Sequence, residues 1–407
     1  MALETCTIDG DRLNFELAEL GKIGLGEEGG YYREAFSQAD MDGRALVEVY
    51  MKEAGMAVTR DAALNSVGRY EGQDESLPPI VIGSHTDTVP RGGNYDGALG
   101  VLSGIAVVRA LFLAGVRLKH AVEIINFTGE EAVAPGGTFG SRVMTKHFNE
   151  ELLEQTVYTG DTFREHLEKA GVIIEKLAAA ERLQGSAAGY VELHIEQGGI
   201  LDEENISIGV VSGIVGFRRY RLVFPGTANH AGTTPMDKRD DALIKAARFT
   251  LAVKETAERH GIVGTVGTLQ VDPGAPNVIP GSVEITFEMR GLDDSVIDAA
   301  QKELKSSADE LKASFDKYSH KPSVISSTEI VGALEEGCRK AGLDYIVMPS
   351  GAGHDANLMA RICPVAMLFV PNRDGISHSK DEYATPEACV NGARALLHGI
   401  IELDKQI

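Results

Sequence analysis

"VIGSHTDTVPRGGNYDGALG", residues 81–100, begins as an apolar strand and ends as a loop that holds His85, Asp87 and Asp96 among four glycines. Working outward, "PPIVIGSH" (78–85) predicts a buried strand, "GALGVLSGIAVVRALFLAGV" (97–116) an aliphatic helix, and "AVEIINFTGEE" (121–131) a second strand that ends in two carboxylates. Strand, helix, strand with polar groups at the strand ends is the α/β pattern, in which ligands sit beyond the carboxyl edge of the sheet. "GYVELHIEQG" (189–198) marks that edge a third time.

From about Ile214 the texture changes. "GFRRYRLVFPG" (216–226) and "VEITFEMRGL" (283–292) alternate with the period of two expected of a half-exposed antiparallel sheet, with helices predicted at 237–260 and 294–317. "DYIVMPSGAGHDA" (344–356) and "VAMLFVPNRDGISHS" (365–379) then return to buried strands with polar ends, before a closing helix at 385–404. The reading is a two-domain α/β protein: a central mixed sheet with flanking helices, formed by 1–213 and 330–407, and an inserted α+β sandwich at 214–329. Residues 11–70 read as helix and loop, including "DGRALVEVYMKEAGM" (42–56), and 150–183 as charged helix.

Composition narrows the function classes. A chain of 407 residues is long enough for two cores, and a net charge of −21 without basic blocks argues against nucleic acid or an anionic membrane as partner. Four scattered cysteines, Cys6, Cys338, Cys363 and Cys389, show no CxxC spacing and fit a reducing compartment. Neither a signal-peptide core nor a membrane-length apolar run stands out, so the expectation is a cytoplasmic protein.

The polar residues at the strand ends are His85, Asp87, Asp96, Glu130, Glu131, His194, Glu196, His354, Asp355 and His378. Taken singly, a strand-end His or Asp is most often a satisfied loop residue. Taken together, imidazoles and carboxylates suit borderline divalent ions such as Zn, Mn, Co or Ni, and a shared carboxylate allows two of them. Adjacent Glu130 and Glu131 point to opposite sides of the chain, so one can ligate while the other serves as general base.

The ordered motifs "GSHTDTV", "GGNYDG", "GEE", "HIEQG", "NHAGTTPM", "PNVIPG", "SGAGHDA" and "GISHS" resemble the metal-dependent M20 amidohydrolases, specifically the branch of N-carbamoyl-L-amino acid hydrolases and allantoate amidohydrolases. The resemblance implies that His85 and His194 hold one metal, Glu131 and His378 the other, and Asp96 bridges them. It implies Glu130 as the catalytic base, with Asp87 accepting from the His85 ring and fixing its tautomer. It further implies that His230 reaches a partner's site in a homodimer to stabilise the developing oxyanion. Asn277 and Arg290 would grip the substrate carboxylate, with Gln197 and Gly353 as further substrate contacts; the alternative for Arg290 is an ion pair at a strand end. His354 and Asp355 are expected to be supporting, and closure of the inserted domain would hinge near Gly213 and residue 329.

One stretch departs from the branch. Where its members carry Gly-x-Arg-Phe after the two carboxylates, this chain has "EEAVAPGGTFGSR" (130–142), one residue shorter and without that Arg and Phe. The expected activity is hydrolysis of an N-carbamoyl-L-amino acid to amino acid, ammonia and carbon dioxide. Allantoate or another N-substituted amino acid are the alternative substrates. A catalytically dead binder would have lost a ligand or Glu130, and all are present. A peptidase is disfavoured, because His194 stands where the resembling peptidases carry a carboxylate.

Overall fold

The computed structural model describes residues 6–131, 135–157 and 159–407. Its strands are β1 Ala57–Arg60, β2 Ser66–Tyr70, β3 Ile80–His85, β4 Val122–Phe127, β5 Gly189–Ile195, β6 Ile208–Ile214, β7 Gly216–Pro225, β8 Asn229–His230, β9 Val263–Asp272, β10 Val278–Ile279, β11 Ser282–Gly291, β12 Asp316–Lys321, β13 Val324–Ile325, β14 Tyr345–Ser350 and β15 Val365–Val370. The chain forms two compact units, Met1–Ser212 with Ser326–Ile407, and Gly213–Ile325.

The first unit is built on a mixed sheet in the order β1-β2-β4-β3-β5-β15-β6, with β14 also paired to β6. The α/β class expected from the sequence is the observed one. β3 runs parallel to β4 and β5, and β5 parallel to β15, so their carboxyl ends share one edge. All residues of these four strands are buried, which is why they read as continuous apolar runs and not as alternating ones. Helix Ala98–Leu113 is buried from Ala98 through Leu111 and shares a core with the helix Pro386–Gln406 and the strands beside it. Each fully buried Leu, Ile or Val there contributes roughly 1.5–3 kcal/mol.

Local features depart from the sequence reading. β1 and β2 lie in the stretch read as helix and loop; they are short, and Gly68 and Arg69 hide the apolar signal. Among the described residues between 150 and 183, the short α-helix Phe163–Lys169 is flanked by 3-10 segments. That region is organised by Phe36, Phe139, Phe148 and Phe163, whose rings meet edge-on or tilted at 5.3–6.5 Å.

The second unit is an antiparallel sheet β12-β7-β11-β9 with the helices Ala242–His260 and Asp294–Glu310 packed against it. Strict alternation of burial along β11 places Val283, Ile285, Phe287 and Met289 inward against Phe249, Ile297 and Leu304. The unit starts at Gly213 and ends at Ile325, four residues before the sequence boundary, because Ser327 caps the helix Thr328–Ala341 of the first unit. Its second helix stops at Glu310, where Leu311 and Lys312 (φ 59°) turn the chain towards β12. Among the described residues no helix is long and apolar enough to cross a membrane.

Candidate metal centre

Four strand ends deliver the chemistry to one edge of the first sheet. β3 ends in His85, β4 runs on to Glu130 and Glu131, β5 carries His194, and the loop after β15 carries His378. Asp96 comes from the turn before helix Ala98–Leu113. That turn depends on Gly97, whose φ is +64° and whose added Cβ would lie 2.4 Å from the His85 ring.

Asp96 sits between two ligand sets. Its Oδ1 lies 3.2 Å from His194 Nε2 and 3.4 Å from His85 Nε2. Its Oδ2 lies 3.6 Å from His378 Nε2, which is 3.5 Å from Glu131 Oε1. Within each set, His85–Asp96–His194 and Asp96–Glu131–His378, the ligand atoms lie within 4.8 Å of one another. The other ring nitrogens are already used: His85 Nδ1 donates to the Asp87 carbonyl at 3.0 Å and His194 Nδ1 to the Ile195 carbonyl at 2.9 Å. A carbonyl only accepts, so both rings carry their proton on Nδ1 and present the Nε2 lone pair to the centre.

The electrostatics favour cations. Burial, reinforced by Asp96 and Glu130, raises the Glu131 carboxyl well above the usual range. Burial also pushes Glu130 to about 7, opposed by His85 and reinforced by Asp87 and Asp96. Burial works against the Asp96 carboxylate too, but His194 and His85 outweigh it and hold that carboxyl well below its ordinary value. Four carboxylates crowded into a desolvated patch with three imidazoles are what divalent ions neutralise, so the residues fit a pair of metal ions.

The general-base candidate Glu130 places Oε2 at 3.7 Å from His85 Nε2. Its loop is closed by Thr138 N to Glu130 O at 2.7 Å and Phe139 N to Gly129 O at 2.8 Å. Arg142 folds back on the same loop, donating to Gly136 O at 2.7 Å and Thr138 Oγ1 at 3.0 Å. Within the atypical stretch 132–137, residues 132–134 lie outside the described residues.

Asp87 differs from its expected role. Its carboxylate is 3.7 Å from His85 Nδ1, beyond hydrogen-bond reach, and accepts instead from the main-chain N–H groups of Glu130 at 3.3 Å and Glu131 at 3.1 Å. The backbone carbonyl of Asp87 sets the His85 tautomer, and its side chain fixes the two glutamates. Gln197 (φ 58°) donates to Asp96 Oδ2 at 2.6 Å, so it touches the carboxylate common to both candidate sets. Gly353 lies exposed in the turn before His354. His354 packs its ring 4.7 Å from that of His194 and bonds Ser350 Oγ at 2.9 Å, while Asp355 accepts from Ser141 at 2.5 Å. Glu196 caps the short helix Ile200–Glu204 through Ile200 N and Leu201 N.

Three supports were not visible in the sequence. Buried Arg44, paired with Asp40, donates to the carbonyls of Asn126 and Phe127 at the end of β4. Arg33 holds the Thr86 carbonyl at 2.6 Å. Glu382 accepts from the main chain of Tyr95 and Asp96. Charged residues within helices or loops give no signal of burial, although "SHSKDE" does put an acid four residues after His378.

His230, Asn277 and Arg290 all belong to the second unit. His230 and Asn277 are neighbours in the ribbon β8–β10, with Ala231 N bonded to Asn277 O at 2.9 Å. His230 is exposed, and its Nδ1 accepts from Gly232 N at 3.0 Å and Thr233 N at 3.2 Å, which leaves the proton on Nε2 as an outward donor. Arg290 lies near the far end of β11, bonded to Glu288 and 5.7 Å from the Phe217 ring centroid. From Ser282 to Arg290 the strand runs about 27 Å, so Arg290 and Asn277 stand at opposite ends of it.

Residues 81–402 match the pattern of "Peptidase family M20/M25/M40". The chain is similar to an N-carbamoyl-L-amino acid amidohydrolase of Geobacillus stearothermophilus, 38% identical over 97% of this chain and 99% of that protein. It is also similar to a ureidoglycolate hydrolase of Oryza sativa subsp. japonica, 34% identical over 98% of this chain and 86% of that protein. Among solved structures, an amidase of the hydantoinase/carbamoylase family from Burkholderia multivorans superposes with a TM-score of 0.86 at 36% identity, covering 98% of both chains.

Proposed function

This chain belongs to peptidase family M20/M25/M40, and on that footing we propose a two-metal hydrolase of linear amides that acts on an N-carbamoyl-L-amino acid. The observation that carries the proposal is Asp96, with one carboxylate oxygen in each of two three-residue ligand sets. His85, His194 and Asp96 would hold one ion, and Asp96, Glu131 and His378 the other. Zn, Mn, Co and Ni all suit such nitrogen and oxygen donors. Bound there, the ions supply Lewis acidity at the scissile carbonyl and a nucleophile at neutral pH.

Glu130 takes the proton of the attacking water and returns it to the leaving nitrogen. Water adds to the ureido carbon, the bond to the amino-acid nitrogen breaks, and the released carbamic acid falls apart to ammonia and carbon dioxide. The Nε2–H of His230 donates to the developing oxyanion, a contribution typically of a few kcal/mol. Arg290 pairs with the substrate carboxylate, for which a planar guanidinium is better shaped than an ammonium. Gln197 and Gly353 complete the substrate contacts.

The length of β11 supports a homodimer. A small substrate that touches Arg290 lies too far from Asn277 of the same chain, and His230 is tied to Asn277. Two copies related by a two-fold axis resolve this, with Arg290 from one and His230 and Asn277 from the other. All four cysteines are buried and none forms a disulfide among the described residues, which supports a cytoplasmic setting.

The second reading, allantoate or another N-substituted amino acid as substrate, is favoured by the short loop beside Glu130. The test is ammonia release by the metal-loaded enzyme across N-carbamoyl amino acids, allantoate, ureidoglycolate and N-acyl amino acids with product detection, using Glu130→Gln as blank. Fastest turnover of a carbamoyl amino acid is expected; preference for allantoate or an N-acyl compound would reassign the substrate.

A further inference from the structure

Glu382 is not among the ligands of either ion, yet its carboxylate stands directly behind them. It is buried, and among the described residues no ion pair involves it. Oε1 accepts from Tyr95 N at 2.9 Å and Asp96 N at 3.0 Å, the stretch of main chain that delivers the bridging carboxylate. Oε2 lies 3.4 Å from Ser377 Oγ, which itself donates to Asp96 Oδ2 at 2.9 Å. Ser377 precedes His378, and the loop between them and Glu382 is closed by Glu382 N to Ser379 O at 3.1 Å.

The surroundings are shaped for this carboxylate. A Cβ added at Gly93 would lie 2.1 Å from Oε1, so a glycine is needed for the side chain to enter. Tyr383, the next residue, packs its ring 5.9 Å from that of Tyr95, and Arg373 stacks 4.1 Å above Tyr383. The loop that carries Asp96 and the loop that carries His378 are thus joined at one buried acid.

We propose that Glu382 is a positioning residue that ties the Asp96 loop to the His378 loop and thereby sets the affinity of Asp96, Glu131 and His378 for their ion. The inference rests on the two-metal reading of the site. Glu382 touches neither substrate nor ligand atoms; it acts on where Asp96 and His378 stand. Groups in this position typically change metal affinity 10–100-fold when removed, because ligands that must be pulled into place bind more weakly.

The test is calorimetric titration of the metal-free full-length protein with Mn2+, with His378→Ala identifying the binding step that belongs to this ligand set. In Glu382→Ala that step weakens by about 10–100-fold, and the step assigned to His85, His194 and Asp96 weakens less. Glu382→Gln retains an oxygen for the two N–H groups and an amide that can donate to Ser377, so it restores most of the affinity. Gly93→Ala, which displaces the carboxylate with every other group in place, reproduces the loss if Glu382→Ala does not fold. Wild-type affinities in Glu382→Ala or Gly93→Ala overturn the proposal. So does equal weakening of both steps with a lower melting temperature of the metal-free protein, or failure of the glutamine to restore binding. A wild-type chain that takes up fewer than two ions instead overturns the two-metal reading itself.

Discussion

The two units handle function in opposite ways. In the first, His85, Asp96, Glu131, His194 and His378 converge at one sheet edge, four of the five are buried, and backbone carbonyls hold two of the imidazoles. In the second, His230 and Asn277 are exposed on a ribbon, and Arg290 is about 27 Å of strand from the end that leads to them. Metal ligation needs fixed, desolvated donors, and both candidate ligand sets are complete within one chain. The residues proposed for substrate recognition are instead spread along one sheet of the second unit, and the proposed reading brings them together only through a second copy of the chain.

The sharpest break in that contrast is Asp96→Ala. One substitution in the buried cluster removes a ligand from both sets, so both ions are lost on dialysis and turnover falls below detection; metal analysis checks it. Retention of two ions would mean that the shared carboxylate is not the bridge. Next comes Glu130→Gln, with turnover reduced about 10²–10⁴-fold while two ions per chain remain. Parallel loss of metal would make Glu130 a ligand.

The recognition half is tested by mixing. His230→Ala and Arg290→Ala are each expected to lose about 10²-fold or more, as for a missing oxyanion donor or carboxylate clamp. Unfolded and refolded together, the two variants form mixed dimers in which one site has both residues intact. With His230 acting across the interface, random pairing restores about a quarter of wild-type activity. No recovery would mean that one chain supplies both residues to a site.

How much of this was readable in the sequence follows from the same contrast. Each candidate metal ligand follows a buried apolar strand or sits in a glycine turn, and strand ends are legible because continuous apolar runs stop there: β3 at His85, β4 before Glu130, β5 at His194. The alternation in "VEITFEMRGL" likewise predicted the sheet of the inserted unit. β1 and β2 leave no strand signal because they are short and polar-interrupted, and the second helix of the inserted unit reads longer than it is because "LKASFDK" keeps a helical composition beyond the turn at Lys312. The supports Arg44, Arg33 and Glu382 were invisible for a different reason. Their partners are main-chain atoms distant in sequence, and no side-chain pattern records where a carbonyl or N–H will lie.

Asp87 gives the finest test, because two roles for it predict different losses. If its carboxylate oriented His85, Asp87→Asn would weaken the ion held by His85, His194 and Asp96. The geometry assigns it instead to the N–H groups of Glu130 and Glu131, one per carboxylate oxygen. Asparagine keeps one acceptor and turns an NH2 toward the other N–H, so one buried donor loses its partner, a cost of about 1–3 kcal/mol. The strain falls on the two glutamates. The ion held by Asp96, Glu131 and His378 is therefore expected to weaken by up to about 10-fold, with a modest fall in turnover through Glu130, while the His85 step in the same titration stays at its wild-type value. A loss confined to the His85 step would return Asp87 to the imidazole and show that the main-chain carbonyl alone does not fix that ring.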